Sequence, residues 1–258
     1  MRPLADERGF FDLQWPALQA TLEQDGPDAV ARAILRYESD AERVALFRFA
    51  RQGIVIGDWE GKNLNAALVV AEAAIAWLDE RARGAAGPDR TSYLAALAEI
   101  TFNAAADVAD CWTDDDEPRR RDHFARAMAI AEKSVGLREE LGKSDNSKHL
   151  GWWAFGYHQL RLGLTGAAAD SLERSLEHAR RAARGAGEPD GVTSQAPFAV
   201  LISAGYLGLA RIADGEPSGP DLYGEAIAAF QAQLSDPERQ ADARFGLDQL
   251  ALVRSRLQ

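Results

Sequence analysis

The chain has 258 residues, 47% of them hydrophobic, so it is long enough to bury a core without disulfide staples and is not a disordered tail. A net charge of -11 excludes a general binder of nucleic acid or of anionic membrane, because either needs a basic face. The single cysteine, Cys111, excludes an internal disulfide and fits a reducing compartment.

No stretch alternates apolar and polar residues long enough for a half-buried strand, and helical spacing recurs instead. Clusters of Gly, Pro, Asp and Ser cut the chain into segments of about 12 to 25 residues, which read as antiparallel helices because short connections reverse direction. Asp28, Asp40 and Asp221 stand at or near helix starts, where acids favour the positive helix end. Gly84, Gly142, Gly163 and Gly185 are expected as left-handed C-caps.

The start, "MRPLADERGFF", has charges where a signal peptide needs an apolar stretch, so a soluble cytoplasmic protein is expected. Next, "FFDLQWPALQATL" places Phe11, Leu13, Leu18 and Leu22 on an amphipathic helix, and residues 1–39 read as an N-terminal cap. Leu46, Phe49, Ala50, Gly57 and Trp59 then read as one helix and its turn, followed by Ala67, Leu68, Ala71, Ala74 and Ile75 on the next. Two further helices are expected at roughly 90–112 and 118–141.

Between them lies "CWTDDDEPRRRDHF". A magnesium-diphosphate site of an all-helical synthase needs Asp-Asp-x-x-Asp, with the carboxylates on one helical face. Counting from Asp114 or Asp115, the closing position is Pro118 or Arg119, so the pattern fails. A turn explains the stretch better, with Asp115 or Asp116 as cap and Pro118 in the first turn of the next helix. Asp107 and Asp110, one turn apart, keep a weaker metal reading open. His123, His149, His158 and His178 lack zinc-site spacing, and no nucleophile elbow, P-loop or dinucleotide fingerprint occurs. No catalytic residue, metal or cofactor is therefore expected.

The most regular unit is "WWAFGYHQLRLGLTGAAADSLERSLEHA", Trp152 to Ala179. Trp152, Phe155 and Gly156 mark a first helix, Gly163 a turn, and Ala168, Leu172, Ser175 and Leu176 a second helix. Gly156, Ala168 and Ser175 are small where two helices must touch. This unit resembles a tetratricopeptide repeat, although Gln159, Thr165 and Arg180 depart from the family pattern. A looser copy follows in Leu207, Gly208 and Gly215 with Ala226, Ile227, Phe230, Leu234 and Pro237, after the uncharged run Gly191 to Ala210, read as a buried helix. Residues 237–258, with Phe245, Leu247, Leu250, Val253 and Leu257, read as a C-terminal cap.

The resemblance implies an all-α, tetratricopeptide-like α-solenoid, with repeats over 40–236 as one continuous domain. It also implies a protein- or peptide-binding scaffold without catalysis. If Trp152 faces the core, the inner groove carries Trp153, Tyr157, Leu160 and Arg161, and the upstream stretch of Leu46, Phe49, Ala50, Gly57 and Trp59, which resembles the first helix and turn of another copy, adds Phe47 and Arg51. The arginines would pair with an acidic side chain or a C-terminal carboxylate of the partner. Self-association stays open. The competing expectations are a generic bundle of helical hairpins, a magnesium-dependent diphosphate enzyme built on Asp107, Asp110 and the acids at 114–117, and a small-ligand-sensing regulatory module.

Overall fold

A computed structural model describes residues 4–57, 59–112 and 118–257. It is 79% helix, with eleven α-helices and no strand among the described residues. Packing divides the chain into two compact units, Met1–Val108 and Ala109–Gln258. The division falls inside the span 40–236 that the sequence reading treats as one continuous array.

The first unit contains α1 (Glu7–Asp25), α2 (Pro27–Leu35), α3 (Asp40–Arg51), α4 (Leu64–Gly84) and α5 (Gly87–Val108). Ser39 caps α3 in a reciprocal box: its hydroxyl accepts from the Glu42 N–H, and the Glu42 carboxylate accepts from the Ser39 N–H. Asp40 and Asp28 lie in first turns, as their charge predicts. After Arg51 the chain widens into a π-helical turn, Gln52–Ile56, closed by the Gly57 N–H donating to the Gln52 carbonyl. Gly53 is required there: a β-carbon would lie 2.5 Å from the Trp15 indole. Helices α3, α4 and α5 pack against one another, and α1 and α2 cover α3 and α4. Phe11 and Leu18 of α1 are buried as expected, but Leu13 is 75% exposed. It points away from the stripe formed by Phe11 and Leu18, whose spacing of seven residues returns to the same helix face, whereas Leu13 is two residues from Phe11.

The second unit contains α6 (Arg121–Glu140), α7 (Asp145–Arg161), α8 (Thr165–Ala186), α9 (Phe198–Asp214), α10 (Gly219–Gln233) and α11 (Gln240–Arg256). Each helix packs on the next, and alternate helices also meet, α7 with α9 and α9 with α11. The α7–α8 and α9–α10 hairpins turn at Gly163 and Gly215, whose φ angles of 80° and 79° suit only glycine. Gly142 is also left-handed; Gly84 and Gly185 are not, because α4 and α8 run through them and the α8 cap falls at Gly187. The small positions do stand where the helices touch, as expected. A β-carbon on Gly156 would stand 2.7 Å from Leu172, and one on Gly208 2.7 Å from the Tyr223 backbone nitrogen.

Helix α6 begins at Arg121, so Pro118 precedes the helix instead of occupying its first turn. The acids at 114–117, and with them the capping role expected for Asp115 or Asp116, lie outside the described residues. The uncharged run ends inside helix α9, which is buried on all sides from Val200 to Ala210. Among the described residues no helix is long and apolar enough to cross a membrane.

Candidate functional site

The six residues expected to line a groove fall into two places. In the second unit, Trp153, Tyr157 and Leu160 are not groove residues. Trp153 is 8% exposed and Tyr157 0%, and Leu160 is buried with them. Their rings meet Tyr206 of α9, with centroids 5.9 Å away for Trp153 and 5.8 Å for Tyr157. Trp112 closes the cluster edge-on to Trp153 at 6.2 Å. The expected order of the two adjacent tryptophans is thus reversed. Trp152 is only half-buried, with the Arg174 guanidinium 4.7 Å above its ring. The reason is that α7 is wrapped by α6, α8 and α9 together, so the face that would line a groove is covered by α9.

At the edge of this cluster Asp110 gathers three donors. Its carboxylate accepts from the Tyr157 hydroxyl and from Arg161 Nη2 at 3.0 Å, and forms an ion pair with Arg256 Nη1 at 3.2 Å. Arg256 also donates to the Asp110 backbone carbonyl, and Arg161 Nη1 donates to the Arg256 carbonyl at 2.7 Å. Arg161 lies 5.1 Å above the Phe124 ring. Burial pushes the phenols of Tyr157 and Tyr206 well above their ordinary range and the neighbouring Cys111 thiol up to about 12, which disfavours the thiolate. The arrangement ties Asp110 to α7 and to the end of α11, and Arg161 serves that tie.

Asp110 does not share a helix with Asp107, because α5 ends at Val108. Each carboxylate is engaged by arginine, Asp107 by Arg51 and Asp110 by Arg161 and Arg256. Among the described residues no group of three His, Cys, Asp or Glu side chains is placed to hold a metal ion. The four histidines are buried. His178 Nδ1 lies 2.6 Å from Asp145, a hydrogen bond that holds the Asp145 carboxyl below its usual range. Burial takes His149 down to about 4.

In the first unit, Phe47 and Arg51 do border an opening. An open cleft lies among α3, α4 and α5. Phe47, Leu68 and Ile100 form its apolar floor; the half-buried alanines Ala67, Ala71 and Ala104 form its sides; Arg51, Asn103 and Asp107 supply its polar edge. Arg51 retains 28% of its side-chain exposure. Its Nε donates to Asp107 Oδ2 at 2.6 Å, and its Nη2 donates to Oδ1. The far wall went unread in the sequence, yet its signal was there: Ile100, Asn103, Ala104 and Asp107 recur at the three- and four-residue spacing of one helix face.

The chain matches no described protein family, no curated protein and no solved structure. The cleft and the packing around it are therefore the basis for any functional reading.

Proposed function

We propose that this chain is a non-catalytic, tetratricopeptide-like helical scaffold that binds a protein or peptide. The observation that carries the reading is the α3–α4–α5 cleft, which combines an apolar floor with a few convergent polar groups, the usual make-up of a recognition pocket. The Phe47 and Arg51 positions singled out by the repeat pattern border this cleft. The repeat reading draws further support from the second unit, where consecutive and alternate helices pack as stacked hairpins do and glycines stand at the close approaches. The lone free cysteine, buried at Cys111, fits work in the cytoplasm. The proposed partner is neither nucleic acid nor membrane, given the acidic balance of the chain.

Selection of displayed linear peptides on the immobilised full chain tests this. Ala71→Leu and Ala104→Leu, which fill the cleft, serve as counter-targets after circular dichroism confirms their fold. Peptides enriched on the wild type and lost on both variants are expected. Enrichment that is equal on the filled variants would remove the cleft as the binding site.

A further inference from the structure

The charges around the cleft are already matched. Arg51 meets Asp107 through two nitrogens, a two-point pairing of guanidinium with carboxylate. Arg48, one turn earlier on α3, meets Glu7 and Glu99. Neither arginine therefore faces the cleft as a bare positive charge. An incoming carboxylate would have to displace Asp107 or sit beside it, and two carboxylates sharing a half-buried site repel. The net charge of -11 acts against an anion at longer range as well. A cation would reach Asp107 only by parting it from Arg51.

Hydrogen bonding is what the edge still offers. A guanidinium carries five N–H donors, and Asp107 uses the one on Nε and one on Nη2. Arg51 has no other partner among the described residues, and the half-buried Asn103 presents amide donors and an acceptor on the same edge. Neutral donors and acceptors above an alanine-sided apolar floor complement a peptide group that carries an aliphatic side chain.

We propose that the cleft takes an aliphatic side chain from an uncharged stretch of peptide. The remaining Arg51 donors meet a backbone carbonyl, and Asn103 meets the adjoining peptide group. This assignment rests on the cleft being the binding site, and it departs from the acidic or C-terminal ligand that the arginines alone imply.

The experiment titrates the isotope-labelled full chain with two probes at neutral pH, N-acetyl-leucine N-methylamide and the carboxylate N-acetyl-leucine, following backbone amides of Ala67, Ala71 and Ala104 by NMR. The neutral probe is expected to bind at least tenfold tighter. Asp107→Asn, which leaves the Arg51 charge unmatched, is expected to invert the preference toward the carboxylate, a change that a merely structural role for Asp107 does not produce. A carboxylate probe that binds the wild type as tightly as the neutral one overturns the uncharged-peptide assignment and leaves the cleft reading standing. An unchanged preference in Asp107→Asn overturns the role given to the ion pair. Absence of any perturbation by either probe overturns the cleft reading itself.

Discussion

Gly208 gives a direct measure of how tightly α9 and α10 approach. In Gly208→Ala the new β-carbon would stand 2.7 Å from the Tyr223 backbone nitrogen and 2.9 Å from its α-carbon, where ordinary contact begins near 3.4 Å. Backbone cannot swing aside as a side-chain tip can, so the helices must part by about 0.7 Å or strain, at a cost of about 1–3 kcal/mol. Alanine also gains about 1 kcal/mol in helix propensity. Gly224→Ala, one residue beyond Tyr223 on α10, supplies the control, because a β-carbon there meets nothing within 4 Å. The propensity gain is common to both variants, so their difference isolates the clash. Urea unfolding followed by far-UV circular dichroism should place Gly224→Ala above the wild type in stability and Gly208→Ala about 1–3 kcal/mol below Gly224→Ala. Equal stabilities would refute the close approach of the two helices at this point.

Asp110→Ala should destabilise the second unit by about 2–4 kcal/mol, because it strands Arg161 and Arg256; protection from hydrogen exchange in α11 should fall with it, and unchanged protection would show that Asp110 does not hold the helix. His149 links stability to pH. Its folded pKa is lowered by burial from 6.5 to about 4, so the unfolded chain takes up the proton first. Stability should therefore fall as pH drops from 6.5 towards 4, by up to about 3 kcal/mol, and level off below. Urea midpoints at several pH values should lose that dependence in His149→Gln. The Cys111 thiol, raised to about 12 chiefly by burial, should resist iodoacetamide in the native chain and react once urea unfolds it; stoichiometric native labelling within minutes at mildly alkaline pH would show that it is accessible.

Local chemistry is what the sequence declared. The acids Asp28 and Asp40 near helix starts, the glycine turns at Gly163 and Gly215, and the small residues Gly156 and Gly208 act on neighbours a few residues away or across a single hairpin. Their meaning survives whatever surrounds them, so the helices and their hairpins could be read from spacing alone. The inward face of a helix is a different kind of fact. Trp152 and Trp153 are adjacent, about 100° apart on the helix, and either is apolar enough for a core. Only the covering of α7 by α9 decided for Trp153 and sent Tyr157 and Arg161 into the Asp110 cluster. The cleft is likewise tertiary. Arg51 and Asp107 are separated by 56 residues, and no periodicity within either helix states that they pair. That pairing turned an arginine expected to capture an acid into a neutral edge, because a charge keeps its call on an anion only while no carboxylate already answers it.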